Sequence, residues 1–193
     1  MPLVDENARI YGQLLSRRRF LRLSALAAVA SFSPRLSLAA LKNFQSPERS
    51  LSFYNTHTEE CLARIYWAQG KYLPEALSDI NYILRDHRSG EIRPIDFRLL
   101  DLVHGIGLKL DARKPFHIIS GYRSPKTNAL LRKRGRGVAR NSLHMVGKAV
   151  DIRLPGCPLS LLRRVAMEMR GGGVGYYPRP DFVHIDVGRV RYW

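Results

Sequence analysis

Two short runs late in the chain alternate with period two, and each is charged on one side only. In Lys148–Leu154, Val150, Ile152 and Leu154 fall on one face, with Ala149, Asp151 and Arg153 on the other. In Phe182–Val187, Val183, Ile185 and Val187 share a face opposite Phe182, His184 and Asp186. Successive side chains of a strand point to opposite sides of a sheet. Such runs therefore bury an aliphatic face under other elements and open a polar face to a cleft. Asp151 and His184 share that polar side.

Helical patterns come earlier. Pro74 opens a helix to about His87, with Leu77, Ile80, Tyr82, Ile83 and Leu84 apolar. Pro94 opens a second, carrying Phe97, Leu100, Leu102, Val103 and Ile106 at helical spacing. Residues 127–134 and Leu159–Arg170 read as two more, the last stopped by Gly171-Gly172-Gly173. Residues 51–57 and 61–67 read as a hairpin, and residues 115–121 as a strand before the turn Gly121–Pro125. The tail offers one or two strands. Helices first and strands clustered later predict an α+β fold: a small antiparallel sheet, helices on one face, a cleft on the other.

The first forty residues read as an address. Ser16-Arg17-Arg18-Arg19-Phe20-Leu21-Arg22 precedes an apolar run, Leu23–Phe32, and Ser37-Leu38-Ala39 is a small-x-small site. The run is too short to span a bilayer as a helix. The order is that of a cleavable signal peptide, and the paired arginines resemble the twin-arginine export signal of bacteria. The expected organisation is a signal over 1–39, a polar linker over 40–50 and one domain over 51–193, with no integral membrane segment after cleavage.

Charge has to be read in that setting. The chain holds 32 Lys and Arg against 16 Asp and Glu, a net +16. Residues 1–39 contain six Arg and two acids, so about twelve units stay with the domain. In the periplasm a basic face meets anionic lipid or a carboxylate-rich wall, and nucleic acid drops out as a partner. Two cysteines, Cys61 and Cys157, exclude a disulfide scaffold, although the two can pair if the fold brings them together.

The stretch Ser142-Leu-His144-Met-Val-Gly147-Lys-Ala149-Val-Asp151 brings a second histidine to the polar face from a loop, with Gly147 allowing a tight turn before the strand. Two imidazoles and a carboxylate, with the fourth position left open, form the ligand set of a catalytic tetrahedral zinc site. By spacing alone, a hydrogen-bonded His–Asp pair supporting a loop is the more common reading.

Ser-x-His-x-x-Gly-x-Ala-x-Asp, followed by a histidine on a late strand, resembles the zinc peptidases of the D-Ala-D-Ala carboxypeptidase group, which share a fold with the hedgehog domain. Ser120-Gly121-Tyr122-Arg123-Ser124 is similar to that group's Gly-Tyr-Arg-Ser turn. The segments Gly171–Pro178 and Phe182–Asp186, with Trp193, resemble its murein endopeptidase K branch. The resemblance covers roughly residues 50–193 and implies one zinc per chain held by His144, Asp151 and His184. It implies that Arg123 binds the substrate carbonyl, where charge develops as water adds and a metal plus a guanidinium can share it.

Ser142 then lies at the cleft edge as a substrate contact; Tyr176 and Tyr177 either line the cleft, with Tyr176 taken as the substrate contact, or simply pack a strand. The general base stays open. Relatives place a Glu three residues before the last histidine; Asp181 stands there, and Asp186, on the strand face of His184, competes as base or as a partner orienting the imidazole. The implied activity is cleavage of crosslinks between peptidoglycan stem peptides. A zinc-containing wall-binding module without turnover is the alternative.

Overall fold

The computed structural model describes residues 48–135 and 138–193. Residues 1–39, read as an export signal, and 40–47 of the linker lie outside them. The first strand, β1 (Arg49–Asn55), begins inside the stretch expected as linker. It pairs antiparallel with β2 (Cys61–Ala68), Phe53 opposite Leu62, as the alternation predicts. A two-residue strand, β3 (Lys71–Tyr72), extends β2 on its outer side.

Helix α1 (Pro74–Ile83) starts at its proline and stops four residues before the expected end. The side chain of Asp86 explains the stop. Its carboxylate accepts the Arg88 N–H at 3.0 Å, a backbone donor that a continuing helix would use, and is held toward the next turn by the Ser124 N–H at 2.9 Å. Helix α2 (Phe97–Lys109) begins three residues after Pro94, because Asp96 caps it by accepting the Arg98 N–H. Strand β4 (Phe116–Ser120) follows, then α3 (Pro125–Arg134), capped by Ser124 Oγ. A 3-10 turn, Leu143–Val146, leads into β5 (Ala149–Arg153). Helix α4 (Leu159–Met169) precedes β6 (Gly173–Tyr177), β7 (Phe182–Asp186) and the short β8 (Arg191–Tyr192).

The architecture is α+β, but the sheet corrects the expectation of a small antiparallel one. It has eight strands in the order β3-β2-β1-β4-β5-β7-β6-β8. Two pairs, β1–β4 and β6–β8, are parallel. The route from β1 to β4 passes through α1 and α2, long enough to bring the chain back in the same direction, which a hairpin cannot do. The tail holds three strands instead of one or two. Strand β6 was hidden by its own composition, since Gly173-Val-Gly-Tyr-Tyr starts at residues that read as a helix stop.

Val150, Ile152, Val183, Ile185 and Val174 are buried with Ile80, Leu99, Val103, Ile106 and Leu162 from the helices. Helix α1 packs on β2, α2 on β1, and α4 on β6 and β7. This one-sided core lets the other face of β5 and β7 carry polar groups. Among the described residues no helix is long and apolar enough to cross a membrane. Cys61 and Cys157 are both free thiols.

Candidate metal centre

Antiparallel pairing sets Asp151 of β5 directly opposite His184 of β7. His184 Nδ1 lies 2.8 Å from Asp151 Oδ1. His144 arrives from the 3-10 turn, which Ser142 caps by accepting the His144 N–H at 3.3 Å. Gly147 closes the turn at φ 67, in the left-handed region, and a Cβ there would collide with the Pro94 carbonyl. His144 Nε2 then stands 3.1 Å from His184 Nδ1 and 3.3 Å from Asp151 Oδ1. One ligand atom from each of the three residues lies within 4.8 Å of the others.

The far nitrogen of each imidazole is also held. His144 Nδ1 lies 2.7 Å from the Gly121 carbonyl, so it carries the proton and leaves Nε2 as a lone pair. His184 Nε2 lies 3.1 Å from Asp186 Oδ2. Asp186 is fully buried and also takes the N–H groups of Gly173 and Gly188, plus Arg191 Nη2 at 2.7 Å. Burial would raise its carboxyl pKa, but His184, Arg191 and the two amides hold it well below the usual range.

Asp151 behaves alike: burial opposes its charge, and the two imidazoles win. Burial pulls His184 down, yet its two carboxylate partners raise it to about 9. His144 Nε2, His184 Nδ1 and a carboxylate oxygen thus converge on one point, where a proton on His184 is what the other two share. A divalent cation fits that convergence. The N, N, O donor set with an open side is that of zinc, and a carbonyl and a carboxylate behind the rings fix their tautomers.

Arg123 is aimed at the same point by the turn after β4. The Tyr122 N–H donates to the Leu84 carbonyl at 2.7 Å, and the Arg123 N–H to the His144 carbonyl at 3.2 Å. Its guanidinium is mostly buried, with Nη2 3.2 Å from Ser120 Oγ and 3.7 Å from Asp151 Oδ2. Burial lowers its pKa and Asp151 opposes that. A cleft of about 480 Å³ opens above these groups. Its floor is His144, Asp151 and His184; Asn141 and Ser142 form one wall, and Tyr177, Phe182 and Trp193 another.

Several residues fall elsewhere than expected. Tyr176 is not on the cleft: it sits among the partly buried residues of the core, with the Arg163 guanidinium 5.0 Å over its ring. Alternation along β6 puts Tyr177, not Tyr176, on the face of Gly175, which pairs with His184. Asp181 is exposed, ion-paired with Arg153 at 2.9 Å, and absent from the cleft lining. Asp186 is saturated with donors. Among the described residues lining the cleft, Asp151 is the one carboxylate.

Arg191 lines the cleft with no signal in the sequence and Trp193 enters the sequence only through the family resemblance, while the period-two signal that would separate Tyr177 from Tyr176 is masked by the glycines of β6. Of the other histidines, His57 and His87 stack on each other at 3.8 Å and His104 Nδ1 meets the Ser50 carbonyl at 2.9 Å, all outside the cluster.

The family model described as "Peptidoglycan L,D-endopeptidase MepK" matches residues 43–193. The curated protein of that name from Escherichia coli K12 is 42% identical over 178 residues, covering 92% of this chain and 97% of that one. The Shigella flexneri protein of the same name is equally similar. A Haemophilus influenzae protein named "Probable peptidoglycan L,D-endopeptidase MepK" is 37% identical over 194 residues, covering 100% of this chain and 98% of its own.

Proposed function

The chain belongs to the peptidoglycan L,D-endopeptidase MepK family, and from that premise we propose that it is an exported, zinc-dependent endopeptidase cutting crosslinks between peptidoglycan stem peptides. The observation that carries this reading is the convergence of His144 Nε2, Asp151 Oδ1 and His184 Nδ1 at the floor of an open cleft. When bound, zinc supplies a Lewis acid that acidifies water and polarises a carbonyl.

The chain's own groups do the rest. Arg123, whose guanidinium makes one side-chain hydrogen bond among the described residues, to Ser120 Oγ, keeps donors free for the oxygen of the scissile carbonyl. Ser142, at the rim, binds a substrate amide. Asp186 stays ionised and keeps the His184 ring aimed; with its oxygens taken by His184, Arg191 and two amides, it does not accept a proton from water. Asp181 is the remaining proton acceptor. Its exposed ion pair with Arg153 is of a kind worth at most about 1 kcal/mol, so Asp181 is free to exchange partners.

The exposed Lys133 and Arg134 end α3 upstream of the Val138–Ser142 wall, where the free carboxylates of stem peptides would meet them. The reading includes a periplasmic location reached by the twin-arginine route. One observation favours the alternative of a metal-holding wall binder without turnover: the cleft lining contains no carboxylate besides Asp151.

Digestion of purified sacculi by the zinc-loaded chain, followed by muropeptide chromatography, separates the two. The peptidase reading requires crosslinked dimers to fall and monomers to rise, with EDTA blocking the change. Intact dimers after incubation with fully zinc-loaded protein would leave the binder.

A further inference from the structure

One wall of the cleft is aromatic, and it is held rigid from behind. The Trp193 main chain is locked to β6: the Tyr176 N–H donates to its carbonyl at 2.9 Å, and its own N–H donates to the Val174 carbonyl at 3.2 Å. The indole Nε1 donates to Tyr177 Oη at 2.8 Å. The Tyr177 ring in turn stacks on Phe182, 4.7 Å between centroids and 22° between planes. The Arg191 guanidinium lies 4.9 Å from the indole, and the His184 ring 5.3 Å from it. Gly175 makes this seat possible, since a Cβ there would stand 2.6 Å from the indole. Yet Trp193 remains 46% exposed. Its bracing immobilises a large apolar surface beside a candidate metal ligand, and that surface is not used to fill the core.

An aromatic surface fixed in advance loses little freedom on binding and favours C–H groups lying flat upon it. Stem peptides offer two side chains next to an L,D link: the methyl of D-alanine, too small to use such a wall, and the methylene run of the diamino acid. Sugar rings of the glycan also present C–H faces, but they are joined at the far end of the stem from the link. We propose that Trp193, braced by Tyr177, is the specificity-determining surface that takes the methylene chain of the diamino acid flanking the scissile bond. This rests on the peptidoglycan reading above. Trp193 acts by positioning substrate over the cleft floor and touches no reacting atom.

Affinity is the readout that isolates the wall from turnover. Calorimetry with the zinc-loaded full chain would use diaminopimelate-linked stem-peptide dimers, with and without their sugars. Alongside it, KM and kcat would be measured wherever cleavage occurs, and zinc content for every variant. Trp193→Ala should weaken binding of both dimers by roughly tenfold or more, with a KM effect exceeding the kcat effect and about one zinc per chain retained. Trp193→Phe should recover part of the affinity, and Tyr177→Phe, which cuts only the brace, should lose about two- to fourfold.

Unchanged affinity in Trp193→Ala would overturn the inference. So would losses confined to sugar-bearing dimers, which would make the wall a glycan platform. Losses that track zinc content across the variants would overturn it too, showing a structural support for His184. Tight binding without cleavage by the wild type would sink the peptidase reading and leave this one standing.

Discussion

Asp151 and His184 face one another across the β5–β7 pair, and Asp186, two residues beyond His184 on the same strand, grips the far side of that imidazole. A single histidine is thus clamped between two carboxylates, one turned to the cleft and one sealed in the protein. The first faces the point where the donor atoms of His144, Asp151 and His184 converge, and the second holds the His184 ring from behind.

Removing the inner carboxylate should weaken the centre without touching a donor atom. Asp186→Asn is expected to lower zinc affinity about 10- to 100-fold. It also leaves the half-buried Arg191 without its ion partner, so the melting temperature should fall as well. Competition with a chelator of known affinity and a thermal melt measure the two effects. Unaltered zinc affinity would mean that the His184 ring is held by its packing alone.

Arg123→Met should separate chemistry from metal binding. Zinc content is expected to stay near one per chain, while kcat/KM on crosslinked dimers falls roughly 100- to 1000-fold, the cost of losing one oxyanion donor. A loss of zinc equal to the loss of rate would assign Arg123 to holding Asp151 instead.

Gly147→Ala tests the turn that delivers His144. The residue would have to keep φ 67 and push its Cβ into the Pro94 carbonyl. A destabilisation of about 1–3 kcal/mol is expected, read from the urea midpoint, together with reduced zinc affinity. A variant as stable as the parent would show that the Pro94–Asp96 segment moves aside freely.

The Arg123 turn should depend on pH through Asp86. Burial would raise that carboxyl, but the Thr127 hydroxyl, the Ser124 N–H and the Arg88 N–H hold it well below its usual range. A depressed folded pKa adds stability that is complete above the unfolded value, about 3.9, and is lost as pH falls below it. Asp86→Asn should therefore be less stable than the parent at pH 7, by about 1.5–3 kcal/mol, and the gap should close between about pH 5 and pH 2. Denaturant titrations across that range check it; a gap independent of pH would point to lost packing.

Asp181→Asn probes the proton acceptor. If Asp181 fills that role, kcat should fall about 100-fold or more, while zinc content and stability stay within error, because the Arg153 pair is exposed. A rate within twofold of the parent would remove Asp181 from the chemistry.

Much of the centre was legible before folding. His144, Asp151 and His184 are marked by a loop motif and two alternating strands, and alternation is a local property that survives any packing around it. Helix ends were less legible. The end of α1 depends on Asp86 reaching Ser124, and the start of α2 on Asp96 turning back to cap it. Tyr176 and Tyr177 show the limit most clearly. They are neighbours of the same type, and which one faces the cleft depends on the register of a glycine-rich strand whose pattern is silent.

By itself, then, the sequence determined the α+β class and the polar strand face, because both rest on short-range periodicity, and its resemblance to a known family singled out His144, Asp151 and His184 as candidate donors. Tertiary structure alone decided that the sheet is mixed and eight-stranded, that Asp186 is sealed against Arg191, and that Trp193 stands beside His184. Those are contacts between strands brought together by pairing, and no local pattern reports which strand becomes a neighbour. The physical reason is burial: a carboxylate surrounded by donors and one free to take a proton look alike in sequence, and only their surroundings make them different groups.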